Sequence, residues 1–499
     1  MLRINFSFVS CSAFVFLGAL SGCTTRTDES RDKHREDQKP NILFLFADDQ
    51  RADALGCSGN TYIKTPNIDR IAQSGIRFTN AYIMGGHHGA ISAPSRAMLL
   101  SGRYLFNVYD RLDGVTTMPM HFAANGYETF GTGKWHNEQR AFENSFQKGK
   151  SVFLGGMSDH FSVPCRDLGP DGKLSEPEFR GFSTDVFSDA AIGFINEYAS
   201  GERKRPFFCY VAFTAPHDPY SPRPDYIGKY PDQAIPLPGN FIPLHPFQFD
   251  DLTIRDENLA PWPRTPDVVR SALADYYGLI SHLDNRIGDI LDALYKNGLI
   301  KNTIIVYAAD NGLAIGSHGL LGKQNLYEHS MKVPLIISGA GIPQGKVSQA
   351  FVYLLDVYPT LCELAGLPEP EKIDGLSFAP VINRDSAGPR RSVMTAYRHT
   401  ARAVRENEWK LIRYPERDFF QLFNLNDDPL ELNNLAYRPD FFSKRDELFN
   451  LLKMWQKISG DTVPLSVSIP LPLNYDYTKL VRKPDINQPQ YTLKKYFNQ

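Results

Sequence analysis

Ser92-Ala93-Pro94-Ser95-Arg96 opens a stretch that runs on through Ala97-Met98-Leu99-Leu100-Ser101-Gly102-Arg103. Pro94 suits the first turn of a helix, where a missing N–H costs nothing, and this predicts a helix start with Ser92 just ahead of it. The free N–H groups of such an end, with Arg96 on the first turn, could hold a tetrahedral oxyanion at Ser92. By composition alone the same residues also read as an ordinary helix start. Asp48-Asp49 and Asp310-Asn311 each close a continuous apolar run. Adjacent carboxylates repel unless a cation lies between them. This all-oxygen set suits calcium better than zinc, with magnesium still open. For Asp48-Asp49 alone, two solvated acids on a loop is the plainer reading. Lys134 and His136 alternate in an extended segment and so face one side, a cation beside a titratable imidazole. His217 lies between Pro216 and Pro219, which restricts its backbone, yet alone it reads as structural. His87 and His88 occupy a glycine-rich loop before Ser92. Adjacent histidines diverge, which argues against a shared metal and leaves substrate contact or neither. His318 and Lys323 follow in glycine-rich sequence, His318 as a candidate for substrate or leaving-group contact.

Such groups need rigid elements beneath them. Residues 41–47, 206–213 and 303–309 are apolar almost throughout, which predicts strands buried on both faces of a largely parallel sheet. Ligands of open α/β sheets bind at the carboxyl ends of strands, where Asp48, Asp49, Asp310 and Asn311 fall. Residues 333–339 predict a further strand. Residues 268–299 carry apolar side chains at helical spacing, a long amphipathic helix packed on a sheet, with Asn297-Gly298 as its stop. Residues 140–180 lack periodicity and read as an insertion shaping a substrate site. Residues 220–266, rich in proline and aromatics, read as a long functional loop. From about residue 386 short strands at 393–397, 401–405, 409–414 and 421–425 predict a small antiparallel sheet, with a helix over 441–458. The Pro- and Tyr-rich tail from Val463 has no assigned part. The predicted fold is α/β: a large central mixed, mostly parallel sheet flanked by helices, plus the small C-terminal sheet with its helix. The boundaries are a catalytic domain at 41–385 and a C-terminal α+β subdomain and tail at 386–499.

The Ser92 stretch resembles the signature of the type I sulfatases, Cys or Ser-x-Pro-Ser-Arg followed by four residues and x-Gly-Arg. Gly133-Lys134-Trp135-His136, Pro216-His217 and the segment Asp427 to Ala436 resemble further motifs of that family, so the likeness runs from Asn41 to about Ala436. It implies an alkaline-phosphatase-like fold and hydrolysis of sulfate esters. It implies that Ser92 is oxidised to formylglycine (3-oxoalanine), as in the serine-type branch, by a radical-SAM sulfatase-maturating enzyme that works without oxygen. It implies one calcium ion (Ca2+) held by Asp48, Asp49, Asp310, Asn311 and residue 92. Arg96, Lys134 and Lys323 would then neutralise the sulfate. His217 would protonate the leaving alcohol, and His136 would take a proton from residue 92 as sulfate departs.

The 54 basic and 56 acidic residues nearly balance, and no basic tract argues for nucleic acid as a partner. Cys57, Cys165, Cys209 and Cys362 are widely spaced and form neither a zinc framework nor a disulfide scaffold; buried thiols are expected. Arg3, the apolar run 14–20 and the small residues after it predict a secretory signal at 1–22, too short to span a membrane. Leu20-Ser21-Gly22-Cys23 resembles a bacterial lipobox. That implies cleavage before Cys23, a palmitate-type lipid anchor on it, and a polar tether at 23–40. The protein would then sit in the cell envelope, on the periplasmic face or the outer-membrane surface; a plain cleaved signal is the alternative. This location and the aromatic-rich loops point to a sulfated carbohydrate substrate, a polysaccharide or its oligosaccharides. Two rivals stand: a phosphodiester or phosphonate hydrolase on the same fold, and a non-catalytic glycan-binding lipoprotein.

Overall fold

The computed structural model describes residues 39–249, 251–384 and 386–497. The expected signal, Cys23 with its lipid and the tether up to residue 38 lie outside the described residues. Strand β1 (Asn41–Ala47) is buried along its whole length. Its side chains alternate between two cores, Ile42, Phe44 and Phe46 facing one and Leu43, Leu45 and Ala47 the other. An uninterrupted apolar run demands this two-sided burial.

The main sheet has eight strands. With β1 they are β2 (Gly75–Tyr82), β4 (Glu128–Lys134), β5 (Lys148–Phe153), β8 (Phe207–Ala212), β9 (Thr303–Ala309), β10 (Leu335–Gly339) and β11 (Lys346–Tyr353). Their order is β11-β2-β10-β9-β1-β8-β4-β5, and β10 alone runs against its neighbours. Helices Ser183–Ser200 and Pro266–Lys296 cover one face through Phe187, Phe194, Leu283, Ile287 and Ile290. Helices Ser92–Ser101 and Val357–Leu364 cover the other through Met98, Leu99 and Leu361. Each such side chain contributes roughly 1.5–3 kcal/mol by leaving water.

The fold is the expected one, and the main sheet holds three strands the sequence reading did not contain, β2, β5 and β11. β5 lies inside the stretch read as an insertion, and β11 closes the other end of the sheet. Both are edge strands with solvent-facing residues, Lys148 and Lys150 in β5 and Val347 and Gln349 in β11, and polar residues break the apolar run in each. In β2, Arg77, Thr79 and Asn80 interrupt the pattern. A short ribbon, β6 (Val163–Cys165) with β7 (Glu178–Arg180), completes the 140–180 region.

The second sheet holds β12 (Ser392–Tyr397), β13 (Ala401–Glu406), β14 (Trp409–Tyr414) and β15 (Phe419–Asn424), antiparallel in succession, against helix Phe442–Ser459. A fifth strand, β3 (Gly85–Gly86), joins it in parallel beside β12. Gly85 has φ 99°, and a Cβ there would lie 2.0 Å from the Ala396 carbonyl oxygen, so the pairing requires glycine. The loop leading to Ser92 is thereby fastened to the C-terminal sheet.

Candidate active site

Strands β4, β8, β1 and β9 are neighbours and parallel, with Gly133, Ala212, Phe46 and Ala308 in register across them. Their carboxyl ends therefore deliver Lys134, His217, Asp48-Asp49 and Asp310-Asn311 to one place. Helix Ser92–Ser101 brings Ser92 and Arg96 there, and Ser95 Oγ donates to the Asp310 carbonyl at 2.6 Å, tying the helix to the end of β9. The helix begins at Ser92 itself, earlier than the proline alone suggested. Pro94 still falls within the first turn, where no N–H is required. Asp49 and His136 adopt left-handed backbone, φ 61° and 65°, a strain that recurs at functional sites.

Ser92 Oγ lies 3.3 Å from Asp48 Oδ1, 3.5 Å from Asp49 Oδ1 and 3.2 Å from Asn311 Oδ1. Lys323 Nζ donates to Ser92 Oγ at 3.1 Å and to Asp49 Oδ1 at 2.6 Å. Lys134 Nζ donates to Asp48 Oδ2 at 2.5 Å, and Arg96 Nε to Asp310 Oδ2 at 2.9 Å. His217 Nε2 is 3.6 Å from Asp49 Oδ2. All of these side chains are buried. The His136 ring borders the cavity beside them, and its Nδ1 is a buried atom with no hydrogen-bond partner.

Three carboxylates here face three cations. Burial pushes the Asp48 carboxyl well up, and Asp310 adds to that push. Asp310 is held low against its burial by Arg96 and Lys134. Burial lowers the Lys134 amine and, with Lys134 itself, drives the His136 imidazole well down. Burial also takes His217 down to about 3. Asp48, Asp49 and His217 each offer a ligand atom within 4.8 Å of the others. Asn311 Oδ1 reaches the same Ser92 oxygen that Asp48 and Asp49 approach, whereas the Asp310 carboxylate is taken up by Arg96 and the Asp49 N–H; the two acids with Asn311 offer the oxygen donors a hard divalent cation needs. Such an ion would relieve the burial cost at Asp48. It would also turn a balanced site into a net positive one, suited to an anion.

A cavity of about 320 Å³ opens onto His136, His217 and Lys323. Its remaining polar wall is Arg255, Asp256 and Gln324, none of which the sequence reading singled out. Gln324 Nε2 donates to Asp256 Oδ2 at 2.7 Å, and Arg255 grips Asp218, the residue after His217, at 2.8 and 2.5 Å. The available signals were the 220–266 loop, which supplies Arg255 and Asp256, and the adjacency of Gln324 to Lys323. A larger cavity of about 480 Å³, bordered by Arg51, Arg77 and Lys332, includes none of the groups around Ser92.

The three histidines expected to touch substrate are not drawn into this cluster. His87 rests edge-on against Phe106. His88 pairs with Asp110 at 2.5 Å on the surface. His318 is buried and stacked on Tyr327, and its Nε2 donates to the Glu431 carbonyl at 3.1 Å. Cys165, Cys209 and Cys362 are buried free thiols, and Cys57 is free and half-buried.

The family model described as Sulfatase matches residues 40–367, and that described as N-sulphoglucosamine sulphohydrolase, C-terminal, matches residues 316–457. An N-acetylglucosamine-6-O-sulfatase of Bacteroides thetaiotaomicron is 29% identical over 86% of this chain and 88% of its own. A solved protein in complex with its substrate D-glucosamine-2-N,6-O-disulfate superposes with a TM-score of 0.73 at 26% identity, covering 86% of this chain and 99% of that one. A phosphonate monoester hydrolase from Silicibacter pomeroyi superposes with a TM-score of 0.67 at 20% identity, over 85% of this chain and 96% of that one, a likeness of fold.

Proposed function

The chain belongs to the sulfatase family and is a sulfuric ester hydrolase; from that premise we propose that it removes sulfate from polysaccharides or their oligosaccharides, using calcium and a formylglycine made from Ser92. The observation that carries the reading is the meeting of Ser92 Oγ with Asp48, Asp49, Asn311 and Lys323 inside a buried, cation-lined pocket. The glycan substrate is supported by the amino-sugar sulfates named for a relative and for a solved neighbour.

Asp48, Asp49, Asp310 and Asn311 would hold the calcium, which when bound polarises the oxygen at position 92 and the sulfate. A formylglycine there supplies, as its hydrate, a nucleophilic hydroxyl and a second hydroxyl that unmodified serine lacks. Lys134 and Lys323 spread positive charge over the sulfate oxygens, and Arg96 holds Asp310 in place. His217 faces the cavity and would give a proton to the leaving oxygen as the S–O bond breaks; burial holds its imidazole low, so the negative charge of the bound sulfate is what must raise it into the protonated form. His136 takes the proton from residue 92 when sulfate is expelled. Its depressed pKa keeps it neutral, and its unpartnered Nδ1 is free to accept.

Sulfate release from a panel of sulfated oligosaccharides tests the reading. Matured enzyme is expected to turn over, and protein with intact Ser92, verified by mass spectrometry, to stall. Equal turnover by the two forms would sink the formylglycine mechanism. Matched sulfate and phosphate esters should show preference for sulfate. We further read residues 1–23 as a lipoprotein signal and anchor that place the enzyme in the cell envelope. Cys23→Ser should move it from the membrane to the soluble fraction.

A further inference from the structure

The tail from residue 463 lies beyond both matched family regions, yet it is seated against the active-site wall. Asp485 and Gln488 are both buried. Arg255 Nε donates to Asp485 Oδ2 at 2.9 Å, and Gln488 Nε2 donates to Asp218 Oδ2 at 2.7 Å. Arg255 holds the same Asp218 through both terminal nitrogens. His217 Nδ1 donates to the Asp218 backbone carbonyl at 2.8 Å and lies 3.2 Å from Asp218 Oδ1, so both halves of Asp218 hold the ring, and the opposite ring nitrogen looks toward Asp49. The tail is anchored further on, where Lys495 pairs with Asp275 and Tyr491 donates to Asp159 Oδ1 at 2.9 Å.

We propose that Asp485 and Gln488 are positioning residues for sulfate-ester cleavage: together they fix the Asp218–Arg255 pair and so aim the His217 imidazole at the leaving oxygen. The proposal rests on the proton-donor role given to His217 above. Each contact has a separate task. Without Asp485, Arg255 keeps Asp256 as a rival partner, 3.2 Å from Nη1, and its plane can turn. Without Gln488, Asp218 loses a donor on the oxygen that points away from His217, and the carboxylate can rotate about its own axis. Partners that orient a metal-bound imidazole typically govern 10- to 100-fold effects, and a misplaced reacting group is costly in the same way, so an effect of about that size is expected here.

The test uses matured full-length enzyme carrying Asp485→Ala, Gln488→Glu, Asp485→Glu or Lys495→Met. Gln488→Glu keeps the size but sets a carboxylate against Asp218. Lys495→Met loosens the tail away from the site. The probes are phenyl sulfate, whose leaving group needs a proton, and 4-nitrophenyl sulfate, whose leaving group departs without one. Asp485→Ala and Gln488→Glu should lower kcat on phenyl sulfate about 10- to 100-fold, leave KM nearly unchanged and spare the nitrophenyl ester. Asp485→Glu should recover most of the loss, and Lys495→Met should match wild type. Equal losses on both esters, or the same loss in Lys495→Met, would overturn the proposal. Crystal structures of the variants give a readout without turnover: the His217 ring should be displaced in Asp485→Ala and in place in Lys495→Met. An undisplaced ring refutes the positioning role even if wild type cleaves neither ester, and that second result would count against the functional reading instead.

Discussion

Lys323 makes the two contacts that most directly join Ser92 to the acids, one to Ser92 itself and one to Asp49. Burial works against its charge, but Asp49, Asp256, Asp48 and Asp310 together outweigh burial and raise its pKa, so it stays an ammonium across the working range. Lys323→Met should lower kcat/KM by about 10²–10³, as removal of one charge-stabilising donor does elsewhere. Steady-state sulfate release measures this. Arg96 is different in kind: its guanidinium is enclosed and pairs with Asp310 at 2.8 Å. Removing it leaves a buried carboxylate unpaired, so Arg96→Ala should cost about 3–5 kcal/mol of stability as well as activity, read by denaturant unfolding.

At the scale of elements, the strands that carry chemistry were the ones easiest to read. β1 and β9 are unbroken apolar runs, their bounds are as expected, and the acids fall just past their ends. The edge strands β5 and β11 stayed hidden because half of their surface meets water and their residues are mixed accordingly. His318 misled because its glycine-rich setting looks like a binding loop, whereas its ring is spent on stacking against Tyr327. Asp218 and Arg255 were illegible because their partners lie far along the chain. The long 220–266 loop also carries His245, whose ring bonds the Phe247 carbonyl at 2.8 Å and lies 3.1 Å from Tyr327 OH. Burial takes it down to about 3, against about 6.5 in the unfolded chain. Between those values the unfolded chain binds a proton that the native state refuses, so stability falls as pH drops below about 6.5. The slope is about 1.4 kcal/mol per pH unit for this residue. His245→Phe should flatten that acid limb in melting temperature against pH. Gly85 is the second element-scale test. Gly85→Ala forces a side chain onto the Ala396 carbonyl and should cost about 1–3 kcal/mol, with β3 parting from β12.

At the scale of the molecule, the pocket gathers residues from position 48 to position 323, and its three acids and three cations cancel. On the proposed reading, binding of the calcium ion would be the event that makes the site attractive to an anion. Chelation should abolish sulfate release, and restored calcium should raise the melting temperature by mass action, about 2.7 kcal/mol at a hundredfold excess over Kd. Inorganic sulfate should bind more tightly in its presence, since linkage is reciprocal. Ser92 itself has no exposed surface, and the loop before it is stitched to a strand synthesised near the end of the chain. Under the maturation proposed above, that sets a clock on biogenesis: the oxidising enzyme would have to meet the serine on a nascent or still-open polypeptide, before the surrounding elements close over it.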